Sequence, residues 1–297
     1  MTCSRGASFF RSCTTHLAPL RGCLRAMPLR GCLRVGLILA VLPPESAGGL
    51  SPAESCVDEG PCTIERVRAE DLSVAEFEAK YKEIKPVIVV TGLGYNARLR
   101  AAVDREALLA EYGDMAVSLG TAESYTGKST LKVPFRRYIN DMITVPQTLD
   151  SLGNETYYLF GSNQGKRFPE LLAVYRLPPF DAMVNENQYS TLSFGLAGQN
   201  SGVPFHGHGP GWSEVLHGRK RWFLYPRNES RKASEIVPFD PDESQLQWYR
   251  RVYPTLAAEE MPTECTIKPG EMLYFPTWWL HAVLNLDSFT SFISTFQ

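Results

Sequence analysis

The second half of the chain, from residue 186 onward, consists of short apolar segments separated by turns that contain glycine and proline. Many short strands at close spacing are typical of a β-sandwich or a small barrel. Strands are predicted over 190–197, 212–216, 221–225, 264–268, 271–275, 281–286 and 289–296. One helix over 245–253 interrupts them, and Pro269-Gly270 predicts a tight turn between two strands. A mainly β fold is therefore expected.

Helical signals dominate the part before residue 186. Ser73 and Glu76 form a capping-box pattern ahead of one helix, and Asp104 begins a second that reaches Tyr112 and ends at Gly113. Shorter helices are predicted over 135–142 and 169–175, and strands over 86–91 and 157–160. Because no repeat or linker is visible, we expect a helical part, 49–185, and a β-barrel core, 186–297, within one domain.

Residues 1–48 differ from the rest of the chain in charge. Six of the 30 basic residues and none of the 32 acidic ones lie within 1–44, so the remainder has eight more acids than bases. Such an acidic body has no general attraction to nucleic acid.

The same segment has the pattern of a leader. The apolar run 35–42 is too short to span a bilayer, follows arginines and precedes small residues, which is typical of a secretory signal peptide. Starting at Met27 would give a signal of ordinary length. A mitochondrial presequence is the alternative, because the segment is rich in arginine and lacks acids. We expect the endoplasmic reticulum lumen, and no membrane span in the mature chain.

Sequons support the secretory interpretation. Asn154-Glu-Thr and Asn228-Glu-Ser are both acceptor patterns for N-glycosylation, which makes Asn154 and Asn228 candidate modification sites.

Three of the seven cysteines, Cys56, Cys62 and Cys265, lie outside the leader. An oxidising compartment favours one disulfide among them. Pairing of Cys56 with Cys62 is preferred, because Gly60-Pro61 can turn the short loop between them. Cys62–Cys265 is the alternative, and three unpaired thiols are the third reading.

Histidines form the clearest chemical signal. In a strand, the side chains of His206 and His208 would point to the same face and could converge on one metal ion. His281 is the candidate third ligand. Imidazole suits iron, zinc, copper and nickel, so the residues do not identify the metal. The alternative is a surface pair on a loop, and spacing alone does not decide between them.

Two longer segments resemble the JmjC (jumonji C) family. They are Pro204–Pro226, PFHGHGPGWSEVLHGRKRWFLYP, and Gly270–Asp287, GEMLYFPTWWLHAVLNLD. The resemblance covers most of the chain after about residue 60. It implies a double-stranded β-helix, the cupin or jelly-roll-like barrel, around a metal site. Related enzymes use Fe(II), O₂ and 2-oxoglutarate to hydroxylate or demethylate proteins.

The family's metal motif is only partly retained. His206 and His281 match its two histidines, but His208 replaces the carboxylate that completes the facial triad. Lys220 matches the lysine that binds 2-oxoglutarate, the alternative being a solvated charge in a basic run. Val203 replaces a threonine that relatives use to bind 2-oxoglutarate, and Ser213 replaces an asparagine.

These replacements favour a regulatory or protein-binding JmjC protein of the endoplasmic reticulum lumen with a degenerate site. The alternative is an active Fe(II)/2-oxoglutarate-dependent hydroxylase that acts on a secretory-pathway protein. Another divalent metal, or none, is the alternative to Fe(II). Histone demethylation is disfavoured, because a leader and sequons conflict with a nuclear location. The expected partner or substrate is a protein and not a nucleic acid.

Overall fold

The computed structural model describes residues 57–121, 130–151, 156–160, 168–184, 191–228, 236–240 and 243–296. The leader with its signal-peptide prediction, Cys56 and Asn154 all lie outside these residues. Within them, no helix has both the length and the apolar character needed to cross a membrane.

Two β-sheets form the barrel, and their strands are numbered in chain order. The six-stranded sheet has the spatial order β1 (Arg66–Arg68), β2 (Val87–Val90), β11 (Glu271–Phe275), β8 (Gly211–His217), β13 (Thr290–Phe296) and β6 (Thr191–Ala197). The four-stranded sheet has the order β10 (Thr263–Ile267), β9 (Lys220–Tyr225), β12 (Leu280–Asn285) and β7 (Gly202–His206). Most consecutive strands from β6 onward lie in opposite sheets, as the double-stranded β-helix requires. The predicted mainly β, cupin-like fold is confirmed.

Helices lie mostly before the barrel strands. They are α1 (Val74–Lys80), α2 (Ala97–Ala102), α3 (Arg105–Tyr112), α4 (Phe135–Arg137), α5 (Pro169–Ala173), α6 (Asp181–Val184) and α7 (Gln245–Arg251). The predicted caps are confirmed, because the Ser73 hydroxyl accepts from the Glu76 amide and the Asp104 carboxylate from the Glu106 amide. The predicted helix 135–142 continues after α4 as a π-helix, Tyr138–Met142.

The N-terminal part contributes strands as well as helices. Strand β2 pairs with β11 in the large sheet, with Val89 opposite Met272. A third sheet has the order β4 (Thr130–Pro134), β3 (Ala116–Thr121) and β5 (Tyr157–Tyr158). Strand β7 was not predicted, because its Gly202 and Pro204 resemble a turn. Its position at the edge of the four-stranded sheet explains why proline is tolerated there.

The turn at Pro269-Gly270 is confirmed. Gly270 has φ +87°, which favours glycine, and the Glu271 amide donates to the Lys268 carbonyl at 3.0 Å. The turn connects β10 to β11 and so carries the chain from one sheet to the other.

A disulfide joins Cys62 to Cys265, and the preferred pairing of Cys62 with Cys56 is therefore wrong. The reason is a contact between distant parts of the chain. The Thr63 amide donates to the Glu264 carbonyl at 2.8 Å, which holds the segment before β1 against β10 and places the two cysteines side by side. Short loop length favoured the nearer partner, whereas strand packing selects the distant one.

A buried arginine stabilises the same junction. Arg221 and Glu264 are both almost fully buried, and the Arg221 Nη2 to Glu264 Oε2 distance is 2.6 Å. Arg221 Nη1 also donates to the Asp58 carboxylate at 2.7 Å. The ion pair therefore ties the start of the described chain to β9 and β10.

Candidate metal centre

Strand pairing brings two of the histidines together. His206 is the last residue of β7 and lies directly opposite His281 of β12 in the antiparallel register. Residues opposite each other in such a pair point to the same face. Their ring centres are 4.2 Å apart, and both side chains line the barrel interior.

His208 reaches the same point by another route. Strand β7 ends at His206, so the expected alternation along one strand does not account for His208. Instead the His208 carbonyl accepts a hydrogen bond from the Trp278 amide at 2.8 Å, which holds the loop after β7 against the turn before β12. The candidate ligand atoms of His206, His208 and His281 all lie within 4.8 Å of one another. The surface-pair alternative is therefore wrong.

All three rings are oriented by nearby backbone carbonyls. The Nδ1 atoms of His206, His208 and His281 lie 2.7, 2.8 and 2.8 Å from the carbonyls of Pro204, Gly209 and Trp279. A carbonyl can only accept, so each Nδ1 carries the hydrogen of a neutral imidazole. The lone pair is then on Nε2, where it is available to a metal.

The surroundings keep the rings neutral. Burial lowers the pKa of His206 to about 3, and a neighbouring His208 charge would lower it further. Burial also lowers the pKa of His208, and it holds that of His281 well below its ordinary value. Because a metal ligand must be deprotonated, these histidines meet that requirement without losing a proton.

Lys220 lies on the wall of the same cavity, which has a volume of about 50 Å³. It is 4% exposed, so the solvated-charge alternative is wrong. Trp222 and Phe275 provide apolar walls, and burial lowers the pKa of Lys220 to about 7. Val203 also lines the cavity.

Phe292 was not anticipated as a cavity residue. The centre of its ring is 3.3 Å from Lys220 Nζ. Gly195, which faces Phe292 across β6 and β13, makes room for that ring, because a Cβ there would approach it to 2.3 Å. No local sequence signal identifies this contact, which joins strands of opposite sheets.

The residues fit a metal ion better than they fit 2-oxoglutarate. Three Nε2 atoms converge, but the Phe292 ring covers the Lys220 ammonium that would receive the distal carboxylate. Val203 offers no hydroxyl, and the Ser213 hydroxyl is engaged by Ser294 at 2.6 Å. The cosubstrate does not fit while Phe292 keeps this position.

Asn228 is exposed and lies outside the inner cavity, on an outer groove that also borders His206. Its side chain is therefore placed at the surface, as an acceptor for a glycan must be.

Comparison with known proteins agrees with the site. Residues 73–296 match the cupin-like domain family. The chain is 44% identical over 265 residues to JmjC domain-containing protein 8 of Rattus norvegicus, across 88% of this chain and 93% of that protein. It is 45% identical over 254 residues to JmjC domain-containing protein 8 of Homo sapiens, across 85% and 90%.

A more distant relative has a name that states its chemistry. The 2-oxoglutarate and iron-dependent oxygenase JMJD4 of Gallus gallus is 28% identical over 199 residues, across 62% of this chain and 46% of that protein. The barrel, the paired histidines of β7 and β12 and these similarities together show that the chain belongs to the JmjC family of cupin-like domain proteins.

Proposed function

We propose that this is a JmjC protein of the endoplasmic reticulum lumen that binds a divalent metal and acts as a regulatory, protein-binding member of its family. The observation that carries the metal site is the common tautomer of His206, His208 and His281. Each ring is fixed by a backbone carbonyl and presents Nε2 to one point.

The charge of the site favours a metal together with an anion. Three neutral imidazoles leave both positive charges of a divalent ion uncompensated, whereas a carboxylate ligand would cancel one of them. Fe(II) is the expectation from the family, and zinc, copper and nickel also suit imidazole. A bound ion would provide a Lewis-acidic position on the wall of the inner cavity.

Phe292 supports the non-catalytic role. Its ring occupies the place in front of Lys220, and Val203 lacks the hydroxyl that would help to bind a cosubstrate. The second candidate function is a 2-oxoglutarate-dependent protein hydroxylase, which the location of Lys220 in the same cavity as the histidines favours. Bound Fe(II) and 2-oxoglutarate would then supply the oxidation of a protein C–H bond by O₂.

A secretory location is supported by three features. They are the signal-like leader, the sequons at Asn154 and Asn228, and the Cys62–Cys265 disulfide, because disulfides are rare in reducing compartments. The alternative remains a mitochondrial location. A glycosidase-sensitive form in the microsomal fraction of cells that express the full chain is the expected result. A mature, unglycosylated form in mitochondria would contradict it.

Metal content is the direct test of the site. The purified protein should hold about one equivalent of a divalent metal by elemental analysis, and His206→Ala should lose it. His217→Ala is the matched control, because His217 ends β8 and bonds to the Arg100 carbonyl at 2.7 Å instead of lining the cavity. A His206→Ala protein that keeps its metal would refute the assigned ligands.

Turnover separates the two candidate functions. With Fe(II), ascorbate, O₂ and 2-oxoglutarate, we expect the wild-type protein to release no succinate, because Phe292 covers Lys220. Succinate release that disappears in Lys220→Met would instead establish the hydroxylase and overturn the non-catalytic role.

A further inference from the structure

Trp278 is placed at a cost to the fold. Its side chain is 52% exposed, and its φ of +59° is left-handed, a region that residues other than glycine and asparagine seldom occupy. Strained residues of this kind persist when their surroundings fix them, and they concentrate at ligand-binding sites. An exposed indole in a strained conformation therefore calls for a role outside the core.

The surroundings of Trp278 connect it to the metal ligands. Its amide donates to the His208 carbonyl at 2.8 Å. Its ring lies over Gly207, since a Cβ at that glycine would be 3.5 Å from Trp278 Cε3. The indole thus covers the backbone between His206 and His208 on the outer side of the metal site.

An outer groove begins at this indole. It has a volume of about 370 Å³, and His206, Arg227, Ile236, Trp278 and Leu280 are among the residues that line it. His206 also lines the inner cavity, so the groove and the cavity meet at a metal ligand. A molecule lying in the groove would approach the metal from the side opposite to Lys220.

The groove continues away from the metal. Arg227, Asn228 and Ile236 also border a second depression of about 650 Å³, which extends to Glu259 and Glu260. The combined path is long and open, with apolar walls at Trp278 and Ile236, a positive side chain nearer the metal and negative side chains at the far end. That shape suits an extended chain better than a compact small molecule.

We propose that Trp278 is the aromatic platform of a groove that receives an extended polypeptide segment, with an apolar side chain of the segment on the indole and an acidic side chain paired with Arg227. The charge pattern supports this occupant, because a basic side chain further along the segment would face Glu259 and Glu260. The inference rests on the proposed function for the protein nature of the ligand, and it assigns the residues that select it.

The backbone conformation offers a clean variant. Asparagine tolerates a left-handed φ, so Trp278→Asn removes the indole and leaves the backbone unstrained. Trp278→Phe keeps an aromatic surface at the same place. Arg227→Glu reverses the charge of the groove, and Arg98→Glu on α2, where Arg98 is exposed, is the matched control for net charge.

The probe is an array of eight-residue peptides of randomised sequence, incubated with the purified full-length protein. Wild-type protein should enrich peptides that combine an acidic residue with an apolar one. We expect Trp278→Asn to weaken the binding of selected peptides at least about tenfold and Trp278→Phe to retain most of it. Arg227→Glu should shift the selection from acidic to basic residues, whereas Arg98→Glu should leave it unchanged.

Three results would overturn the inference. They are the absence of any enriched peptide, wild-type binding by a folded Trp278→Asn protein, and an Arg227→Glu selection identical to that of Arg98→Glu. Metal content measured on the same samples reports separately on the proposed function. Loss of peptide binding with normal metal content affects only the groove, and absence of metal with normal peptide selection affects only the metal site.

Discussion

Glu214 allows a quantitative test of buried electrostatics in this fold. It lies in β8 with no exposed surface, on the side of the sheet that faces the helices. Asn96 donates to its Oε2 at 2.7 Å, whereas its Oε1 is buried without a hydrogen bond. Burial raises the pKa of Glu214 from 4.5 to about 7, although hydrogen bonds from Tyr175 and Asn96 and the charge of Arg100 oppose the increase.

The magnitude follows from the difference between the two pKa values. An acid whose pKa is higher in the folded state binds more protons when folded between pH 4.5 and about 7, so the free energy of unfolding decreases as pH rises through that interval. The loss reaches about 3 kcal/mol above pH 7. Glu214→Gln keeps the shape and cannot ionise. It should match the wild type near pH 4.5 and exceed its stability by up to about 3 kcal/mol at pH 8.

Urea unfolding at pH 4.5, 6 and 8 measures this effect. The difference between variant and wild type isolates Glu214, because the histidines contribute equally to both proteins. Glu78→Gln on α1, where the side chain is exposed, is the matched control and should show no trend with pH. A stability difference that stays constant from pH 4.5 to 8, or that grows toward acid, would refute the reasoning.

Three further predictions concern other buried groups. Cys265→Ala should lower the free energy of unfolding by about 3 to 5 kcal/mol, because the disulfide with Cys62 spans 203 residues of sequence; urea unfolding without reductant measures it, and a change below about 1 kcal/mol would contradict it. Arg221→Met should cost about 3 to 5 kcal/mol, because it leaves Glu264 buried without its cation; an unchanged urea midpoint would count against this. Lys220→Met should stabilise the metal-free protein by roughly 2 to 4 kcal/mol near pH 7, because the pKa of the lysine falls from 10.5 to about 7 on folding; this gain should grow as pH decreases toward 7 from 10, and calorimetry showing a loss of stability would disprove it.

Local patterns predicted most of the elements. The caps at Ser73 and Asp104 depend on residues within three positions, and the Pro269-Gly270 turn depends on one glycine. The sequence also identified the three histidines and Lys220 as a group. What it could not supply were contacts between distant strands, such as the ring of Phe292 over Lys220.

The errors have the same physical origin. The disulfide partner of Cys62 depends on how the first described segment packs on β10, about two hundred residues later. His208 was expected to reach the metal by strand alternation, but it does so through a loop fixed by the Trp278 amide. In both cases a side chain was placed correctly in the chain, and its neighbours were decided by tertiary structure.

The backbone carbonyls that hold the three imidazoles have a consequence for metal selectivity. Because the rings are already locked, little side-chain freedom remains to be lost when an ion enters, and a rigid set of neutral nitrogen donors accepts several first-row metals. Such a site has no charged ligand with which to discriminate, and intrinsic affinity would rank copper and zinc above iron. The identity of the bound ion should therefore follow the metal supply of the compartment in which the protein folds.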